Sequence, residues 1–318
     1  MNNIISEIQK SNNIVLLCHK NPDGDAIGST IAMYHLLKKI GKEVDMVIAD
    51  VPTKFNFIEG YQDIKESSNR EYELGIILDT ATKEKINNPS NVTERIKKTI
   101  VIDHHASNTN HGDINFVDSK PACCEVVYNL IEEMGVEIDK LIATSLCTGL
   151  LTDTGGLSHP DVKTSTYEVV ANLSQIIDIP SIHKKVLGTI TKGQFELQKL
   201  GIANLEFYKD NQISFTYITE EDLNRLGLKK NEADIIANIG RNIEGVEVAI
   251  YVRIYEEGNR VSLRSNNKID VNEVAKVFGC GGHKNAAGIM SNMEFNALKE
   301  KLIEEVGKKI DEWNTSSK

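Results

Sequence analysis

Short apolar runs alternate with amphipathic stretches through the first half of the chain. Residues 13–18 (NIVLLC), 44–49 (VDMVIA), 74–78 (LGIIL) and 99–102 (TIVI) are almost continuously apolar. Such runs predict strands buried on both faces of a parallel sheet. Residues 27–40 carry apolar side chains at helical spacing and stop at Gly41, while 123–134 and 138–151 predict two further helices, the second largely buried. Strands alternating with helices in this order predict an α/β fold, an N-terminal domain built on a doubly wound, mainly parallel sheet.

The pattern changes after about residue 165. Residues 165–205 read as helical, with Pro180 interrupting an isoleucine-rich stretch. Residues 212–218, 246–255 and 260–265 read as strands, the last two joined by a turn at 256–259. A helix is expected over 272–278, and Phe295, Leu298, Leu302, Val306 and Ile310 mark the buried stripe of a terminal helix. These elements predict a smaller C-terminal α+β domain. The expected division is residues 1–184, a linker at 185–192, and residues 193–318.

Composition narrows the class of protein. A length of 318 residues accommodates two cores of ordinary size. With 40 % hydrophobic and 26 % charged residues, the chain has the balance of a folded globular protein. It shows no leader segment and no apolar stretch of membrane-spanning length, so a cytoplasmic protein without a membrane partner is expected. The five cysteines are odd in number and form no C-x-x-C pair, which argues against a disulfide framework or a zinc ribbon. Cys123 and Cys124 are expected to pack a helix, and His111 and His159 to lie at the surface. A net charge of −10 argues against a protein that grips long duplex nucleic acid through a broad basic face. Small anionic substrates remain compatible, because bound cations reverse the local sign at a carboxylate-rich site.

The chemistry gathers where the predicted strands end. Ligand sites of open α/β sheets lie beyond the carboxyl ends of the strands. The first strand delivers His19 and then, through NPDGD, Asp23 and Asp25; the third ends at Asp79, the fourth at Asp103, His104 and His105, and Asp153 follows the buried helix. Any one of these could be a turn former or a helix cap. Together they form a carboxylate cluster that repels itself unless protons or cations neutralise it, which points to metal. Several carboxylates with few imidazoles favour manganese, with magnesium as the alternative, over zinc. The number of ligands exceeds what one ion needs, so two divalent cations sharing a carboxylate are expected, the arrangement that clamps a phosphoryl displacement. In the second half, GCGGHKNAAG reads as a glycine turn bearing His283, and Arg264 ends the strand VSLRSN. Arginine and histidine there supply groups able to hold a phosphate.

At these residues the sequence resembles the DHH phosphoesterase superfamily, named for the triplet Asp103-His104-His105. VLLCHKNPDGDAIGS, LDTA, IDHHASN and LLTDTGG resemble its four N-terminal motifs, in order. VSLRSN and DVNEVAKVFGCGGHKNAAG resemble the DHH-associated domain of the branch that holds nanoRNases, or oligoribonucleases, and phosphoadenosine-phosphate phosphatases. The resemblance implies that His19, Asp23 and Asp79 bind one metal and that Asp25, Asp79, His104 and Asp153 bind the other. Asp103 and His105 would then act close by, alongside His104, in catalysis. Arg264 and His283 would hold substrate phosphate, with Gly281 and Gly282 letting the backbone approach.

Two stretches depart from the pattern. TGGLSHPDVKTST follows Asp153 where an aromatic or arginine-containing segment is expected, and PACCEVVY carries cysteines where small hydroxyl residues are commoner.

The expected activity is two-metal hydrolysis of short RNA or linear dinucleotides to mononucleotides, and of 3′-phosphoadenosine 5′-phosphate to AMP. Water activated by the metals would attack phosphorus in line, with the second domain closing to position the phosphate. A homodimer is compatible with this. A manganese inorganic pyrophosphatase shares the N-terminal motifs, but a lysine-rich arginine motif would be expected in its tail. An exonuclease on longer DNA would need an extra oligonucleotide-binding domain, and a cyclic-dinucleotide phosphodiesterase would be expected to carry membrane or sensory segments. A non-catalytic nucleotide or metal sensor would be expected to lack a ligand, whereas every position here is filled.

Overall fold

The computed structural model describes residues 1–316, and the chain separates into two compact units, Met1–Thr189 and Ile190 onward.

The first unit runs α1 (Asn2–Lys10), β1 (Asn13–Leu17), α2 (Gly24–Lys39), β2 (Glu43–Val47), β3 (Ile64–Lys65), β4 (Leu74–Leu78), β5 (Thr99–Asp103), β6 (Ile114–Val117), α3 (Cys123–Glu133), α4 (Lys140–Asp153), α5 (Thr164–Ser174) and α6 (Ile179–Val186). All six strands are parallel, in the order β3-β2-β1-β4-β5-β6. The order runs outward in both directions from β1 and β4, the switch point at which an open parallel sheet leaves a crevice. Alternation along the central strands splits the core in two. Ile14, Leu16, Ile76, Leu78, Ile100 and Ile102 face the helices in the larger cluster. Val15, Leu17, Ile77 and Val101 face a smaller cluster closed by Tyr72, Ile86 and Val92. Burial on both faces is why these strands read as unbroken apolar runs.

Helix α2 begins three residues earlier than its apolar spacing predicts. Asp23 caps it, its Oδ1 accepting the backbone N–H groups of Asp25 (2.9 Å) and Ala26 (3.1 Å). The first turn therefore holds Asp25, fully buried, where an amphipathic pattern would place an apolar residue. α2 packs against α4 through small residues. Gly28 lies against the Ser145 carbonyl, where a Cβ would come within 2.5 Å, so the helices approach closely only because glycine occupies that position.

The second unit runs α7 (Lys192–Ala203), β7 (Glu206–Tyr208), β8 (Ile213–Thr219), α8 (Glu220–Leu226), β9 (Val248–Tyr255), β10 (Gly258–Ser265), α9 (Val271–Val277), β11 (Gly281–His283), β12 (Ala286–Ser291) and α10 (Phe295–Ser316). Its sheet has the order β11-β12-β10-β9-β8-β7 and is antiparallel apart from the β8–β9 pair. One face packs on α9 and α10 through Phe215, Ile250, Leu263, Leu298, Leu302 and Val306. Leu197, Ile218, Leu223 and Tyr251 form a separate cluster with α7 and α8.

The glycine segment is a strand and not the turn its sequence suggests. Gly281–His283 is an edge strand, and the reversal falls one step later, at Lys284 and Asn285. Gly282 shows why the segment is glycine-rich: a Cβ there would lie 2.5 Å from the Ala286 carbonyl oxygen and the Ala287 Cα, too close for any other residue to keep the pairing.

Candidate metal centre

Three neighbouring strands, the start of one helix and the end of another build the site. β1 leads to His19, β4 to Asp79 and β5 to the triplet Asp103, His104 and His105; α2 contributes Asp25 in its first turn, and α4 ends on Asp153. His19, Asp23 and Asp79 place ligand-type atoms within 4.8 Å of one another, as do Asp25, His104 and Asp153, and as do Asp79, Asp103, His104 and His105. Asp79 connects these groups. Its Oδ2 lies 3.5 Å from His19 Nε2 and its Oδ1 3.3 Å from His104 Nε2. His104 Nε2 is in turn 3.6 Å from Asp153 Oδ2 and 4.0 Å from Asp25 Oδ2.

The imidazoles are held by their far nitrogens. Nδ1 of His19 donates to the Lys20 carbonyl (2.8 Å) and Nδ1 of His104 to the Lys120 carbonyl (2.9 Å). Those bonds turn Nε2 of each ring toward the carboxylates, the orientation from which a histidine ligates a metal. His105 differs: its Nδ1 bonds Asp103 Oδ1 (2.8 Å), and the other oxygen of Asp103 accepts from Asn108 Nδ2 (2.5 Å). Asp25 is fixed from outside the cluster by two amides at the start of α3, Cys123 N (2.5 Å) and Cys124 N (2.9 Å). The two cysteines therefore serve Asp25 through their backbone; the buried Cys124 thiol lies against Gly28 of α2 and Gly149 of α4, and that of Cys123 donates to the Ile102 carbonyl on β5 (3.3 Å).

Electrostatics show how unbalanced the cluster is. Burial alone would lower the His19 and His104 imidazoles. Asp23 and Asp79 instead push His19 up to about 11, and Asp79, Asp25 and Asp153 push His104 up to about 10. Burial, with Asp79 beside it, raises Asp25 to about 7; burial and Asp25 raise Asp153 to about 8. Asp79 goes the other way: burial would raise it, yet His104 and His19 hold it well below the ordinary range. Asp103 is likewise held low, against burial, by His105 and Asn108. Protons are thus retained on groups that ordinarily release them, as expected where a cation would otherwise balance the charge.

One atom tests whether a metal fits. Asp79 Oδ1 is buried and accepts no hydrogen bond, although Asp79 is only 2 % exposed. Its nearest polar neighbours are the ring nitrogens of His104 at 3.3 Å and His105 at 3.6 Å, and the ligand-type atoms of the three groups are all nitrogen and oxygen. The residues fit a hard or borderline divalent cation.

Several contributors are invisible to motif reading. Asn108, the Lys20 and Lys120 carbonyls and the Cys123 and Cys124 amides act through positions that carry no signature of their own. His111, expected at the surface, is instead half-buried and its Nε2 bonds the Thr80 carbonyl (2.9 Å). In the second unit, Arg264, Ala286 and His283 pair in one row across β10, β12 and β11. Paired residues share a face, so Arg264 and His283 project from the same side, two strands and about 10 Å apart. His283 is exposed, and the amide of Gly282 donates to Asn272 Oδ1 (2.9 Å).

Fold and site together are those of a hydrolase of the phosphoesterase type. Residues 13–150 match the DHH family, N-terminal domain, and residues 211–315 match the DHHA1 domain. The chain thus carries a DHH N-terminal domain followed by a DHHA1 domain. It is 29 % identical over 316 residues to a bifunctional oligoribonuclease and PAP phosphatase NrnA of Thermus thermophilus, covering 96 % of this chain and 94 % of the relative. It is 26 % identical over 297 residues to the Bacillus subtilis protein of the same name, covering 90 % and 91 %. Among solved structures, an exopolyphosphatase-related protein from Bacteroides fragilis superposes with a TM-score of 0.90 at 26 % identity, covering 98 % of this chain and 97 % of the other. No helix among the described residues is long and apolar enough to cross a membrane.

Proposed function

We propose that this hydrolase cleaves short oligoribonucleotides and linear dinucleotides to mononucleotides, and removes the 3′-phosphate of 3′-phosphoadenosine 5′-phosphate, in the cytoplasm and with two manganese ions. Relatives of that name, similar along nearly the whole chain, support the substrate class. The observation that carries the metal requirement is the three overlapping groups of carboxylates and imidazoles that meet at Asp79 and His104. His19, Asp23 and Asp79 would hold one ion, and Asp25, Asp79, His104 and Asp153 the other. When bound, such a pair lowers the pKa of water to make a nucleophile at neutral pH and stabilises charge on the oxygens of an in-line displacement.

The remaining residues have distinct roles. Asp103 fixes the His105 ring through Nδ1, leaving Nε2 free to exchange a proton with the reacting phosphate oxygens. Arg264 and His283, sharing one face of their sheet, hold a terminal phosphate, and Gly281 and Gly282 present no side chain that would keep the nucleotide away.

Incubation with manganese and a panel of 5′-phosphorylated dinucleotides, longer RNAs, phosphoadenosine phosphate and pyrophosphate tests the reading. Mononucleotides from the dinucleotides and AMP from phosphoadenosine phosphate are expected. Hydrolysis of pyrophosphate alone, or of nothing, overturns it.

A further inference from the structure

Asp79 has a left-handed backbone, φ +51°, a conformation that a residue with a side chain adopts only when its surroundings impose it. Its own amide is tied to the Ile102 carbonyl (3.0 Å). The next residue, fully buried Thr80, is fixed more heavily. Its hydroxyl donates to the Leu78 carbonyl (2.8 Å), and its carbonyl accepts two side-chain donors, Asn108 Nδ2 (3.1 Å) and His111 Nε2 (2.9 Å). The amide of Thr109 adds a bond to the Ala81 carbonyl (3.0 Å). The segment that follows the triplet thus clasps the turn that follows β4.

We propose that His111 is a positioning residue for the Asp79 carboxylate: with Asn108, it holds the Thr80 peptide so that Asp79 stays in its left-handed conformation and serves both His19 and His104. If the Thr80 carbonyl were freed, Asp79 would relax toward an ordinary backbone and its carboxylate would swing away from one of the two imidazoles. Asn108 has a second task, since it also bonds Asp103. His111 is the cleaner half of the clasp. Its Nε2 serves the Thr80 carbonyl, and its Nδ1 is buried with no partner, an arrangement that favours the ring only for what Nε2 does. The inference rests on the reading of Asp79 as a metal ligand.

The test is calorimetric titration of manganese into the metal-free full-length protein, alongside thermal unfolding without metal, for His111→Ala, His111→Gln, His111→Asn and Asp79→Asn. Glutamine can place an N–H where the imidazole Nε2 lies, whereas asparagine reaches only to Nδ1. His111→Ala should weaken manganese binding about 10- to 100-fold, as loss of an outer partner of a ligand does. Its metal-free unfolding temperature should stay near wild type, because releasing the strain offsets the lost bond. Glutamine should restore binding and asparagine should not. Unchanged binding in a folded His111→Ala protein, or equal rescue by asparagine, overturns the proposal; should the alanine variant not fold, the glutamine and asparagine variants decide. If Asp79→Asn itself binds manganese normally, the metal reading fails as well; if it does not and His111→Ala does, only the positioning role falls.

Discussion

Gly149 on α4 sits so close to Asp25 on α2 that a Cβ built on it would lie 2.6 Å from the Asp25 Oδ1 and 3.0 Å from its Cα. The buried carboxylate and the helix that ends in Asp153 are thereby locked at one separation, which lets two acids on different helices face one imidazole.

Gly149→Ala should therefore act on the metal site as well as on stability. Overpacking of this kind costs about 1–3 kcal/mol. The added methyl would push Asp25 off the amides of Cys123 and Cys124, so manganese affinity should fall together with the metal-free unfolding temperature. Titration and thermal unfolding of the one variant check both; a loss of stability with intact affinity would show that Asp25 tolerates displacement.

The protonated cluster predicts an unusual pH profile. Asp25 and Asp153 have folded pKa values raised to about 7 and 8, so their contribution to stability is present below the unfolded value near 4 and is lost as pH rises through those values. His19 and His104, raised to about 11 and 10, contribute fully below the unfolded value near 6.5 and lose that contribution as pH climbs toward their folded values. Asp79 and Asp103 are depressed, so their contribution is lost only in acid. The metal-free protein should accordingly become less stable from about pH 5 to 9, while saturating manganese, which binds the deprotonated ligands, should reverse the slope. Unfolding temperatures measured across that range with manganese and with chelator test the sign.

His283→Ala should keep its metals and lose activity. The residue stands on the exposed edge strand β11, in a different unit from the acidic cluster. Loss of a hydrogen bond to a charged phosphate costs about 1.5–3 kcal/mol, or roughly a 10- to 100-fold drop in kcat/KM. Metal loss in a well-folded variant would move His283 into the metal shell.

Substrate length gives a further check. With a net charge of −10 and only Arg264 and His283 proposed to hold phosphate, extra nucleotides should meet repulsion and an ordering cost with few new contacts. Efficiency should fall as 5′-phosphorylated RNA grows from two to about ten nucleotides. A rise in kcat/KM with length, at fixed salt and manganese, would reveal an extended binding surface.

The central strands and the acidic residues that follow them were legible because each signal is local: an apolar run, then a carboxylate or imidazole at its end. What escaped depends on partners distant in sequence. β3 has only two residues, and β6 is half-buried at the sheet edge, so neither shows the continuous apolarity of β1 or β4. β11 looked like a turn because glycines carry no alternation, and only pairing with Ala286–Ser291 makes it a strand. Glu125 is a fully buried acid whose partners, Ser165, Thr166 and Lys120, come from segments that no spacing rule connects. His111 looked like a surface residue for the same reason, since its partner is a carbonyl thirty-one positions away.

The parallel sheet has a consequence for how the protein comes into being. Its candidate ligands enter the chain in the order His19, Asp79, His104 and Asp153, and nothing short of the last completes the set. While the first unit is still being synthesised, the growing polypeptide carries most of these acids with no formed crevice to order them. The proposed capacity to hold both ions is therefore complete only after α4 has packed on α2. Metal uptake during translation should act as a checkpoint on that packing, stabilising finished N-terminal units and leaving truncated ones unsupported.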